Sequence, residues 1–161
     1  MKAAIIMGSD SDWPILKPAA DILKQFGIES EVVVASAHRT PAKVRDFVLS
    51  AKDKGISVFI VAAGAAAHLA GVVASYTTLP VIGVPINATA LNGMDALFST
   101  VQMPSGVPVA TMAINGAKNA AIFAVQIFAV GNAELAVKLA AYREKMVEEV
   151  EKKAARVAAQ L

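Results

Sequence analysis

Five short runs, at residues 3–7, 32–35, 58–63, 81–84 and 109–114, apolar but for Gly83 and Thr111, are separated by longer stretches, most of helix length, and this alternation constrains the chain more than any other feature. An unbroken apolar run of four to six residues marks a strand covered on both faces. Residues 13 to about 26 read as a helix closed by Gly27, and residues 41–54 as another stopped by Gly55. The small-residue turn at 64–67 leads into a helix to about Tyr76, and a further helix covers 117–130. Strands alternating with helices predict a parallel sheet between two helical layers, with right-handed crossovers: a three-layer α/β/α sandwich.

Two segments fall outside the alternation. Residues 87–108, rich in Asn, Ser, Thr, Gly and Pro, read as a long irregular connection, although they carry Leu91, Met94, Leu97, Phe98, Val101 and Met103. Such a segment in a small domain is usually functional or lies at an interface. Residues 133–161 lack Gly and Pro and would span about 43 Å as one helix. Leu135, Leu139, Tyr142, Met146, Val150, Val157 and Leu161 recur at helical spacing, so part of this stripe is expected to pack on another subunit. The alternative is a frayed tail beyond Val150.

The 161 residues suit a single domain, 1–161. The apolar share of 56% exceeds the usual ~45–50% and agrees with a doubly covered sheet or large subunit contacts. With no cysteine, disulfides and thiolate metal sites are excluded. A net charge of +2 and 6% aromatic residues leave neither an electrostatic footprint nor a stacking platform for nucleic acid. Residues 56–74 are long enough to span a membrane, but Gly64 and Gly71 punctuate them, and strand, turn and helix is the better reading. With no signal-peptide pattern at the N-terminus, the expectation is a cytoplasmic protein without membrane contact.

Three turns carry the chemistry. In Ser36-Ala37-His38-Arg39-Thr40-Pro41, Thr40 suits a helix N-cap and Pro41 the first helical position. His38 and Arg39 thus sit where a buried strand ends and a helix begins, the place where open α/β sheets bind ligands. A titratable imidazole, a fixed cation and free N–H groups suit an anionic substrate needing proton transfer. Gly8-Ser9-Asp10-Ser11-Asp12 offers backbone N–H groups and the Ser9 and Ser11 hydroxyls as a phosphate cradle, with Asp12 placed to accept from ribose hydroxyls. Plain N-capping by Ser11 or Asp12 is the competing reading. The run matches neither GxGxxG nor GxxxxGK[ST]. His68 follows the third strand in a run of small residues that let backbone approach a flat ligand. Zinc held by the two histidines lacks a completing carboxylate, and a serine hydrolase lacks its GxSxG elbow.

Met7-Gly8-Ser9-Asp10-Ser11-Asp12, Ser36 to Pro41, Ala66-Ala67-His68-Leu69 and Val101-Gln102-Met103-Pro104-Ser105-Gly106-Val107-Pro108 occur in this order. Together they closely resemble the N5-carboxyaminoimidazole ribonucleotide mutases, the class I form of the phosphoribosylaminoimidazole carboxylase catalytic subunit, from about Lys2 to Val130. The resemblance implies a flavodoxin-like fold, a homo-octamer, and an enzyme of purine (IMP) biosynthesis needing neither metal, ATP nor organic cofactor. It implies that Ser9, Ser36 and Arg39 hold the 5′-phosphate and Asp12 the ribose. Gly64, His68 and Leu69 would line the aminoimidazole and carboxylate pocket, with His38 as acid and base. Ala62, Ala65 and Ala70 depart from the family pattern, which has glycine or proline there, and their methyls would narrow the pocket or restrict a backbone needing positive φ. The related class II carboxylase, using AIR and free CO₂, typically lacks this arginine and the His-Leu pair. A carboxylase taking CO₂ directly and a non-catalytic nucleotide-binding homologue are the alternatives.

Overall fold

The computed structural model describes residues 1–160; Leu161, the last apolar position expected on the terminal helix, lies outside them. The chain runs β1 (Lys2–Met7), α1 (Trp13–Gln25), β2 (Glu29–Val34), α2 (Pro41–Leu49), β3 (Ile56–Gly64), α3 (Leu69–Ser75), β4 (Val81–Ile86), α4 (Met94–Val101), β5 (Ala110–Thr111), α5 (Ala117–Ala129) and α6 (Ala133–Ala158). The strands form one sheet in the order β2-β1-β3-β4-β5, every neighbouring pair parallel. Helices cover both faces, as the alternation predicts. Val44, Phe47 and Val48 of α2, Leu69, Ala70 and Val73 of α3, and Ala4, Ile6, Phe59 and Val61 of the sheet make one buried cluster. The alternate residues Ala3, Ile5 and Met7 of β1 are buried too, as are Leu16, Ala19 and Leu23 of α1.

Register places the site. Met7 is level with Val34 on one side and with Ala62 on the other, so β1 and β2 end together and β3 runs two residues further, to Gly64. The connection from β1 goes to one edge while that from β2 returns across it, which makes the β1–β3 gap the switch point where such sheets bind ligands.

Several expectations are corrected. β2 is not a buried strand: it pairs only with β1 at the sheet edge, and Val32 and Val34 are 41% and 43% exposed. Its edge is covered by charge instead. Lys43 Nζ donates to Val34 O at 2.8 Å, and Glu31 pairs with Lys2 and Lys54 at 2.6 and 3.3 Å. α2 stops at Leu49 rather than 54. Ser50 donates through Oγ to Phe47 O at 2.9 Å, and Ile56 N returns to Ala51 O at 3.0 Å across the positive φ of Gly55. β4 runs through Pro85 to Ile86: Pro85 lies level with Ala63, and its carbonyl accepts from Asn115 N at 2.8 Å. β5 shrinks to two residues. The stretch 87–108 holds a helix, α4, because Met94, Leu97, Phe98 and Val101 repeat at i, i+3, i+4 and i+7.

The chain divides into two compact units, Met1–Ala124 and the part from Val125 onward. In the second, Asn132 caps α6 by accepting from Leu135 N at 3.0 Å. Glu134–Lys138 at 2.7 Å and Glu148–Lys152 at 4.0 Å span single turns of that helix. α6 continues as helix to Ala158, past Val150. Among the described residues, no helix is long and apolar enough to cross a membrane; residues 56–74 are β3, a turn and most of α3.

Candidate active site

The three turns read from the sequence meet in one cavity of about 400 Å³ at the ends of β1, β2 and β3. The first turn supplies Gly8, Ser9, Ser11 and Asp12; the second Ser36, Ala37, His38 and Arg39; the third Ala63 to Ala66 with Leu69. Of the expected site residues, only His68 is not part of the lining. It joins through its ring: His38 Nε2 and His68 Nδ1 are 3.0 Å apart, the rings edge to face at 78°. Ala88, just after β4, also borders the cavity and was not anticipated. Its position beyond a parallel strand's carboxyl end was the available signal.

The first turn is a single 3-10 turn, Asp10–Asp12, capped by Ser9, whose Oγ accepts from Ser11 N at 3.4 Å and from Ser11 Oγ at 2.9 Å. Capping therefore falls to Ser9 rather than to Ser11 or Asp12, and the two hydroxyls stand together as a polar pair. Asp12 makes no side-chain cap bond to α1 and is buried. Burial pushes its carboxyl above the ordinary range; the Ser9 backbone works against this, the Asp10 charge adds to it, and the Ser11 side chain opposes it.

In the second turn Thr40 stands at the N-cap, but its hydroxyl does not cap α2. It accepts from Ser36 N at 2.9 Å and donates to Ser36 O at 3.2 Å, tying the loop's ends together. Ser36 Oγ accepts from Arg39 N at 3.2 Å, and the Arg39 guanidinium donates to Gly8 O at 3.1 Å. Arg39 thereby links the second turn to the end of β1 and holds its cation at the cavity.

In the third turn Gly64 has no room for a side chain: a Cβ would lie 2.5 Å from Ala88 Cβ and 3.3 Å from Ile86 O. Of the three departures noted in this loop, Ala62 and Ala70 are buried, and only Ala65 adopts a positive φ, 53°. Among the described residues, no three His, Asp or Glu side chains cluster so as to hold a metal ion.

A doubly wound sheet whose switch-point cavity gathers a guanidinium, paired hydroxyls, a buried carboxyl and one imidazole, with a second imidazole against the first, defines an α/β protein with a polar cavity at its strand ends. The profile of the AIR carboxylase family matches residues 2–149. The N5-carboxyaminoimidazole ribonucleotide mutase of Thermotoga maritima is 54% identical over 156 residues, 97% of this chain and 91% of that protein. The mutase of the same name from Pyrococcus horikoshii is 54% identical over 153 residues, 95% and 86% of the two chains. The crystal structure of Treponema denticola PurE superposes with a TM-score of 0.85 at 29% identity, covering 96% of this chain and 97% of that one. The chain belongs to the AIR carboxylase family.

Proposed function

We propose that this chain is a mutase that converts N5-carboxyaminoimidazole ribonucleotide into 4-carboxyaminoimidazole ribonucleotide in purine biosynthesis. The observation that carries the reading is the cavity itself, where Ser9 and Asp12 of the first turn, His38 and Arg39 of the second and Gly64 of the third converge on a space sized for one nucleotide. Relatives half identical over nearly the whole chain bear that activity in their names.

In this reading Ser9, Ser11, Ser36 and Arg39 hold the 5′-phosphate, Asp12 the ribose hydroxyls, and Gly64, Leu69 and His68 border the imidazole and its carboxylate. The N–CO₂⁻ bond breaks, CO₂ leaves, and the electron pair left on the exocyclic nitrogen takes a proton from His38. The ring carbon C4 then attacks CO₂, and neutral His38 removes the C4 proton, recovering the proton it gave. The balance closes with one imidazole and no further reactant. The wall from Ala63 to Ala66 is uncharged, which suits retention of neutral CO₂ beside the ring. The protein works by positioning and sequestration.

We further propose a cytoplasmic homo-octamer. Exposed apolar side chains on α4 and along α6 support an assembly of this kind.

The test is a metal-free, ATP-free assay with freshly made N5-carboxyaminoimidazole ribonucleotide, following the product by absorbance. Conversion by the wild type, falling at least ~10²-fold in His38→Asn while nucleotide binding persists, is the expected result. Turnover only from AIR and bicarbonate would instead place the chain with the carboxylases, and binding without turnover would make it a non-catalytic homologue.

A further inference from the structure

Ala65 occupies the left-handed region, φ 53°, in the wall of the cavity. A residue with a Cβ is disfavoured there, whereas glycine is not. The neighbours impose the torsion. Upstream, Gly64 is pressed against Ala88 and Ile86 with no room for a side chain. Downstream, Ala67 and Leu69 are buried and tie the chain to the core. Between these anchors Ala67 N donates to Ala65 O at 2.8 Å and His68 N to Ala66 O at 2.7 Å. The turn at residue 65 therefore aims the segment 66–68, and with it the His68 ring that meets His38 at 3.0 Å. An unfavourable torsion thus stands at the pivot of the one wall that brings the second histidine to the first.

Resting on the mutase reading of this cavity, we propose that Ala65 is a positioning residue whose torsional cost makes the third loop a two-position element. Substrate binding selects the left-handed position. Only molecules with the loop so placed bind productively, and the apparent affinity is weakened by the fraction that is not. The Ala65 methyl acts through the backbone and not by filling the cavity.

Glycine, asparagine and valine at position 65 test this. Glycine accepts either sign of φ, asparagine tolerates the left-handed region despite its bulk, and valine resists it. The expected result is a KM up to about tenfold lower in Ala65→Gly and lower also in Ala65→Asn. Tenfold corresponds to about 1.4 kcal/mol, within the range of a left-handed penalty. Ala65→Val should raise KM; if it fails to fold, the other two variants still decide. A KM raised in Ala65→Asn would show that side-chain volume governs the site and would overturn the proposal, as would a KM equal to wild type in Ala65→Gly. A second readout needs no turnover: relaxation dispersion of the Ala67 methyl group in alanine-methyl-labelled protein. Exchange in the wild type that is suppressed in Ala65→Gly supports the pivot, and a flat wild-type profile overturns it. Absence of wild-type turnover, by contrast, counts against the mutase reading and leaves the dispersion result standing on its own.

Discussion

Asp12 shows what the site asks of a single residue. Its carboxyl is buried beside Asp10, and its affinity for protons is raised in the fold. An acid whose folded pKa lies above its unfolded value binds more protons folded than unfolded across the interval between them, so stability falls as pH rises through that window and stays lower above it. Asp12→Asn removes the charge while keeping an acceptor. It is expected to melt higher than wild type at neutral pH, with the advantage fading as pH falls toward the ordinary aspartate value of about 3.9. The same variant should bind nucleotide more weakly. Thermal melts across pH check the first part; a difference that grows toward acid would be the wrong sign. The histidines divide differently. One proton lies between His38 Nε2 and His68 Nδ1, so one ring donates and the other accepts. The proton exchange proposed above needs only one imidazole. His68→Asn still presents a polar atom to His38 and should stay within about tenfold of wild-type turnover, the size of one hydrogen bond. A loss as deep as that of His38→Asn would mean that the two rings act as a unit.

Among the elements, β4 and α4 approach each other closely. A Cβ on Gly83 would sit 2.5 Å from Thr100 Cγ2 and 2.8 Å from Val109 Cγ1, so the strand has a glycine where the helix comes closest. Gly83→Ala should cost about 1–3 kcal/mol by overpacking. At about 2–4 °C per kcal/mol, the melting point drops measurably. Thr100→Ser in the same chain removes the Cγ2 methyl but keeps the hydroxyl that donates to Ala96 O at 2.7 Å, and it should restore part of the loss. No recovery would place the strain at Val109 instead. These two elements also mark what was legible in the sequence. β1 and β3 were plain because both their faces are buried, leaving unbroken apolar runs. β2 misled because its three valines look like such a run, while its position at the sheet edge, which no local pattern encodes, leaves two of them in solvent. α4 hid because residues 87–108 are rich in Asn, Ser, Thr, Gly and Pro, which outweighed the short apolar repeat inside them; Ala96 and Thr100 are its buried residues, while Phe98 is 55% exposed. The site was largely legible, since His38, Arg39, Ser9 and Asp12 stand at strand ends that the alternation located. The positive φ of Ala65 was foreshadowed only by its departure from the family pattern, which could not single it out from Ala62 and Ala70, and Ala88 was signalled by its position after a strand alone, because an alanine carries no chemical mark of a close approach or an unusual torsion.

For the whole molecule, the exposed apolar side chains demand an explanation that a single isolated chain does not offer. Leu91, two residues before the Gly93 cap of α4, and Met94, Phe98 and Val101 of the helix are each 45% exposed or more. α6, a helix of about 39 Å by its rise per residue, buries Leu135 alone and presents Met146, Val147, Val150 and Val157. A closed dimer needs one self-complementary patch; a higher assembly needs at least two different ones. Two such faces on separate helices fit the octamer proposed above better than a dimer. If each serves its own contact, breaking one should leave the other, and the products should be intermediate in mass. Phe98→Glu together with Met94→Glu, and separately Met146→Glu together with Val150→Glu, place charges that a dry interface would have to desolvate. Light scattering should find the wild type as a large closed assembly and each double variant as a smaller, discrete species. Combining all four changes should reduce it further. The substitutions are at exposed positions, so far-ultraviolet circular dichroism should be unchanged. A wild-type mass retained by the α6 variant would remove that helix from the interface, and the same outcome for α4 would leave its apolar face without this role.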